Sequence, residues 1–153
     1  MRVWRLCQTA YAKKALTGEG GLQAPGRWHL QGVRVVYAAA TLSLAALELL
    51  VRIDRALAPS ELTAVEIEIP GSVEVERVTL SKLPAGWDAY PAPASTQRLG
   101  MSWLAAGRTA VLEVPSAVIP RESNYLLNPA HPHFRRIRTV AKMPFSFDPR
   151  LLT

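Results

Sequence analysis

Twelve prolines and nine glycines punctuate this chain of 153 residues. Proline fixes its own φ, brings no N–H to a helix or ladder, and holds the preceding residue away from the helical region. Elements between such points are short, so the chain must fold with many loops. Collagen-like and low-complexity classes are excluded, because Gly and Pro are only a little above ordinary usage. Hydrophobic residues at 49% and charged residues at 20% exclude a disordered chain. The length suits a single domain, residues 1–153, whose core needs no metal or disulfide staple.

Residues 3–6 alternate weakly and read as a first short strand. Residues 17–26 form a glycine-rich loop, and residues 33–37 read as a buried strand. Ser43 is placed to cap a helix running to about residue 57. Leu44, Leu47, Leu50, Val51 and Leu57 keep a helical period along it, and Ala58-Pro59 closes it. Residues 64–70 alternate cleanly, with Val65, Ile67 and Ile69 facing a core and Glu66 and Glu68 facing water. A further strand covers residues 76–80, and residues 84–93 are a proline-rich loop carrying Trp87 and Tyr90. Residues 95–106 read as a helix that Gly107 terminates. Residues 110–114 and 117–119 read as strands flanked by Pro115 and Pro120. Beyond Glu122 the chain reads mostly as loop, with short strands at 137–140 and 144–147. The expected class is α/β (α+β), a mixed sheet with flanking helices and no doubly wound βαβ rhythm.

The formal charge is +6, and it is unevenly placed. Residues 1–76 carry eight Lys/Arg and eight Asp/Glu, whereas residues 77–153 carry ten and four. Arg135, Arg136, Arg138, Lys142 and Arg150 form the densest cluster. Such a patch suits nucleic acid, an anionic small molecule or an acidic partner, or is simply a solvated face. Pro132, Pro144 and Pro149 break it up, which argues against a basic recognition helix. Cys7 is the only cysteine, so an internal disulfide and a four-cysteine zinc site are excluded, and its plain reading is a small buried hydrophobe. The first residues lack the apolar run of a signal peptide. The longest apolar stretch, residues 35–51, contains Glu48 and falls short of the roughly 20 residues of a membrane span. A cytoplasmic protein without membrane contact is expected.

Among chemistry-bearing groups, His29, His131 and His133 do not make a metal motif, and no metal is expected. Gly18-Glu19-Gly20-Gly21 matches neither the dinucleotide fingerprint nor the phosphate loop. The G-x-S-x-G elbow of serine hydrolases is absent. Glu48 is more informative, since it interrupts an apolar helix. Either it pairs with Arg52 one turn later, worth a few tenths of a kcal/mol, or it is desolvated for a purpose. Arg27 follows the Pro25-Gly26 turn, and Tyr37 ends the strand that leads towards the Glu48 helix. An arginine fork for pyrophosphate, a flat ring for nicotinamide and a carboxylate for a developing ribosyl cation are what cleavage of a dinucleotide glycosidic bond needs. By pattern alone the grouping is suggestive only.

The same residues carry a family resemblance. Gly26-Arg27-Trp28, Val35-Val36-Tyr37 and Ser43-Leu44-Ala45-Ala46-Leu47-Glu48 resemble the N-terminal half of an RES-domain toxin. The likeness continues through residues 66–70, 83–87, Ser95-Thr96 with Gly100 and Trp103, and Val114-Pro115-Ser116. It ends in residues 124–132 and 145–150, so it covers nearly the whole chain. The resemblance implies a split β-sheet core similar to that of ADP-ribosyltransferase toxins. It implies the toxin of a type II toxin–antitoxin pair, a homodimer within a larger complex, with an Xre-like helix-turn-helix antitoxin as partner. NAD is the implied substrate, consumed by hydrolysis or phosphorolysis or used to ADP-ribosylate a protein. Arg27, Tyr37 and Glu48 match the family's active-site residues, with Arg27 holding a phosphate and Tyr37 stacking on nicotinamide. Ser116 matches its serine and is expected to position ribose or nicotinamide. His29 stands where many relatives have Asn.

A non-enzymatic basic binding module is the competing class. Against it, aromatic residues are only 7% and form no stacking strip among the basic ones. The basic half is then expected to wall the site of an anionic dinucleotide or to dock an acidic antitoxin segment, with no direct nucleic-acid contact.

Overall fold

The computed structural model describes residues 1–153. Its strands are β1 (Arg2–Gln8), β2 (Val36–Ala39), β3 (Leu62–Glu68), β4 (Val75–Arg77), β5 (Val111–Pro115), β6 (Ser123–Leu127) and β7 (Arg138–Phe145). Three α-helices accompany them: a single turn α1 (Gly20–Gln23), α2 (Leu42–Leu50) and α3 (Ala94–Ala106). The strands form one seven-stranded sheet in the order β4-β5-β6-β2-β1-β3-β7. Every pairing is antiparallel except β4 with β5.

The middle of that sheet is nearly open. β1 and β2 share the single register pair Trp4↔Ala39, whereas β1 is paired with β3 from Arg2↔Glu68 to Gln8↔Leu62. The sheet is therefore two ladders, β4-β5-β6-β2 and β1-β3-β7, joined at one point. The Arg5 side chain reaches across the gap and donates from Nη1 to the Tyr37 carbonyl at 3.0 Å.

Burial explains the sequence patterns. Val65, Ile67 and Ile69 enter the main core with Val3, Val36, Val111 and Leu127, while Glu66 and Glu68 stay partly exposed. β5 is buried along its whole length. Val111 packs into the main core and Leu112 and Val114 into a second one with Trp28, Trp87 and Trp103. A strand covered on both faces reads as a continuous apolar run rather than an alternation. The α3 boundary behaves as expected, since Gly107 adopts φ 57° and returns its N–H to the Trp103 carbonyl at 3.1 Å.

Several expected boundaries move. The α2 cap is Thr41, not Ser43: its hydroxyl accepts from Leu44 N–H at 3.1 Å. The helix stops at Leu50 rather than near residue 57. Asp54 caps a separate 3₁₀ turn, Arg55–Leu57, by accepting from Ala56 N–H, which leaves Val51 and Leu57 exposed. Residues 117–119 are a bend, because the Ser116 hydroxyl draws in the N–H groups of Val118 and Ile119, each at 3.0 Å. The region after Glu122 is not mostly loop, since β6 lies between β5 and β2. The two short strands expected near the C-terminus are the single strand β7, which tolerates Pro144 because it is a sheet edge. Thr41→Ala is expected to lower stability by about 1 kcal/mol, the usual worth of a side-chain cap, measured by denaturant unfolding. No helix is long and apolar enough to cross a membrane.

Candidate active site

Where β1 and β2 part, a cleft of about 260 Å³ opens. β1 lines it with Trp4, Arg5, Leu6 and Cys7, and β2 with Tyr37, Ala38 and Ala39. Ala45, Glu48 and Leu49 of α2, Arg52 just beyond it, and Asn124 of β6 complete the wall. Cys7 is partly exposed here rather than a core residue, and burial of its thiol pushes its pKa up.

Glu48 sits deep in this cleft, with its side chain 17% exposed. Its Oε1 accepts from the Ser116 hydroxyl at 2.8 Å and from the Asn124 side-chain amide. Its Oε2 faces Arg52 Nη2 at 3.6 Å. The expected pair with Arg52 is present, and Glu48 also lines the cleft. The mostly exposed Arg52 makes that ion pair worth little by itself. The two neutral donors have a different consequence, since they fix the carboxylate plane and leave its second oxygen at the cleft. Ser116 is 0% exposed and spends its single proton on Glu48. Ser116, which the resemblance expects to position ribose or nicotinamide, does not line the cleft and donates to Glu48. Asn124 is a site residue that the sequence reading misses, because its strand read as loop.

Tyr37 presents its ring to the cleft, with the Arg52 guanidinium carbon 6.0 Å from the ring centroid. Its hydroxyl is buried against the Gly26-to-His29 turn, within 2.7 Å of His29 Nδ1 and 3.3 Å of Trp28 N. Burial pushes the phenol well above its ordinary pKa, so it stays protonated. Gly26 is required here, since a Cβ would lie 2.7 Å from the Tyr37 hydroxyl and from the His29 ring.

Arg27 does not line the cleft. Its Nη1 donates to the carbonyls of Trp87 at 2.7 Å and Ala89 at 2.9 Å, which ties down the proline-rich loop. Nε and Nη2 remain free of bonds within the chain. Burial lowers the Arg27 pKa, and Glu48 and Asp88 act in the opposite sense. Arg5 does line the cleft and escapes the sequence reading. Its Nε is buried with no partner, and burial lowers its pKa. The available signal was positional, because strand alternation puts Arg5 on the same side as fully buried Val3.

The basic cluster lies elsewhere. Neither Arg135, Arg136, Arg138, Lys142 nor Arg150 lines the cleft. Arg138 pairs with Glu68, Arg150 with Asp148, and Arg136 donates to the Ser72 carbonyl. The expected basic wall is therefore corrected: the cations at the cleft, Arg5 and Arg52, come from the electrically neutral half. β7 continues the β1-β3 ladder as its outer edge, which carries its basic residues away from the split.

A mixed sheet that splits around a partly buried, doubly held carboxylate, with Arg5 and Arg52 lining the opening, defines an α+β protein with a candidate active site at the split. Comparison with known proteins agrees with that class. The RES domain matches residues 2–148. A toxin of Sphingobium sp. named Prs ADP-ribosylating toxin is 39% identical over 153 residues, covering 97% of this chain and 95% of its own. The protein named Toxin Res of Yersinia enterocolitica is 37% identical, covering 99% of each. Toxin Res of Pseudomonas putida is 39% identical, again covering 99% of each. Among solved structures, a chain of the M. tuberculosis MbcT–MbcA toxin–antitoxin complex superposes with a TM-score of 0.77 at 16% identity, over 99% of this chain and 86% of that one. The chain belongs to the RES-domain toxin family.

Proposed function

We propose that this chain is the toxin of a toxin–antitoxin pair and that its cleft cleaves the nicotinamide–ribose bond of NAD. The observation that carries this reading is Glu48, held by Ser116 and Asn124 with its second oxygen turned to the cleft. When the N-glycosidic bond breaks, its electron pair leaves with the nicotinamide nitrogen, and the ribose carbon becomes cationic. A fixed carboxylate opposite that carbon stabilises the cation without reorganising at the moment of reaction. Tyr37 supplies a flat face for nicotinamide. The free edge of Arg27, beside the cleft rather than in it, offers donors for pyrophosphate oxygens. A volume of about 260 Å³ is below the ~300–1,000 Å³ of whole-ligand pockets, so it takes one end of the dinucleotide and leaves the adenosine outside.

Water or phosphate then attacks the ribosyl carbon, giving ADP-ribose or its phosphorylated form. The name of the Sphingobium relative favours a second acceptor, a protein side chain. One catalytic domain spans residues 1–153, acting in the cytoplasm. The partner is an Xre-like helix-turn-helix antitoxin, and the toxin is a homodimer within the larger complex. A toxin–antitoxin complex as structural neighbour supports the antitoxin. Mass spectrometry of products after incubation with NAD tests the reaction: ADP-ribose, ADP-ribose phosphate or an ADP-ribosylated protein is expected. Intact NAD after long incubation, with and without phosphate and cell extract, contradicts it. Ser116→Ala is expected to lower kcat about tenfold to a hundredfold and leave KM nearly unchanged, because it loosens Glu48 without removing a ligand contact.

A further inference from the structure

The ring of Tyr37 is anchored by a side chain whose proton position follows from the structure. His29 is buried, and its Nε2 lies 3.0 Å from the Ala24 carbonyl oxygen. A carbonyl only accepts, so Nε2 carries the proton and Nδ1 of the neutral ring is an acceptor. The group 2.7 Å from Nδ1 is the Tyr37 hydroxyl, which must therefore donate to it. The Tyr37 oxygen in turn accepts from the Trp28 N–H. One directed chain results: Trp28 N–H to Tyr37 O–H to His29 to the Ala24 carbonyl.

We propose that His29 is the positioning residue for Tyr37, holding the ring in the cleft wall through a Tyr37-to-His29 hydrogen bond whose direction a second proton on the imidazole reverses. With Nδ1 protonated, both ring nitrogens are donors. The Tyr37 oxygen can still accept, but its own proton loses its only acceptor inside a packed turn where Gly26 leaves no room for a Cβ. The groups facing His29 do not offset this. β2 presents Tyr37, the chain after α2 presents the cation Arg52, the end of α1 presents the Ala24 carbonyl, and α3 presents the neutral amide of Gln97 to the Gly26 carbonyl. Burial first, then Arg52, holds the imidazole below its ordinary pKa, with the Ala24 bond partly opposing. The unfolded chain therefore takes up this proton first. The contribution of His29 is complete above pH ~6.5 and is lost as pH falls below that value towards the depressed folded one.

The consequence for NAD rests on the function proposed above, whereas the proton arrangement does not. Nitrogen-15 NMR of the imidazoles tests the arrangement directly. The expected result is His29 as the Nε2–H tautomer at pH 7.5, titrating below 6.5, and moving back towards 6.5 in Tyr37→Phe. An Nδ1–H tautomer, or a titration unmoved by Tyr37→Phe, overturns the proposal. The second arm measures KM for NAD between pH 7.5 and 5.5. Loss of the acceptor for the Tyr37 proton is expected to raise KM about tenfold in the wild type as pH falls. His29→Asn supplies an amide oxygen that accepts from Tyr37 and does not titrate, so its KM should rise less than about twofold over the same range. An acid rise in KM that His29→Asn retains in full also overturns the proposal. If the wild type consumes no NAD at any pH, the proposed function fails and the NMR arm still decides the role of His29.

Discussion

Glu48→Gln is expected to lower the rate of nicotinamide release by about 10²- to 10³-fold, while the protein unfolds at nearly the same temperature. The two effects separate because the site uses the two oxygens differently. The amide oxygen of Gln accepts from Ser116 and Asn124 as the carboxylate does, so both donors stay satisfied. The ion pair with Arg52 is lost, but Arg52 is 58% exposed, and such a pair is worth at most about 1 kcal/mol. The negative charge opposite the ribosyl cation is also lost, and removing preorganised electrostatic stabilisation of this kind costs about 3–4 kcal/mol of transition-state energy. Expression without an antitoxin gives the cellular counterpart: growth arrest by the wild type and none by Glu48→Gln. A variant retaining more than about a tenth of the wild-type rate assigns the chemistry to another group.

Gly100→Ala is expected to produce the largest loss of stability among single-methyl changes. In a solvent-facing helix the same substitution gains up to about 1 kcal/mol. Gly100 lies in the middle of α3, where that helix presses on the turn carrying Arg27 and Trp28. A Cβ built there would fall 1.7 Å from the Trp28 carbonyl oxygen and 2.7 Å from its carbonyl carbon. The obstacle is backbone, so no rotamer change relieves it, and α3 must back away from the second core. Overpacking of this severity costs about 3 kcal/mol or more, which for a domain of this size lowers Tm by roughly 6–12 °C. Because Trp28 N–H holds the Tyr37 hydroxyl and Gln97 of α3 holds the Gly26 carbonyl, the shift also reaches the cleft. A Tm equal to or above that of the wild type contradicts the packing described for α3.

These expectations rest on features that differ in how far the sequence exposes them. The alternation of residues 64–70 and the glycine after α3 are local signals, and the structure follows both. β6 carries Asn124 between two prolines and alternates poorly. Its place is decided by neighbours on either side, which a single segment cannot announce. The family resemblance carries Arg27, Tyr37 and Glu48 as expected site residues, and the structure gathers Tyr37 and Glu48 into one cleft. It gives Arg27 two carbonyls of the proline-rich loop, and Ser116 donates to Glu48. Arg5 was missed because a strand arginine ordinarily faces water. Only the near-absence of pairing between β1 and β2 turns it inward. The overall charge misled most, since the basic half does not line the cleft and the electrically neutral half does.

Nicotinamide release by the purified wild-type protein, followed with and without phosphate and with and without cell extract, tests the central claim most directly. Release under at least one of these conditions, and its near-complete loss in Glu48→Ala, is the expected result. No release by the wild type under any of them, or full release by Glu48→Ala, contradicts it.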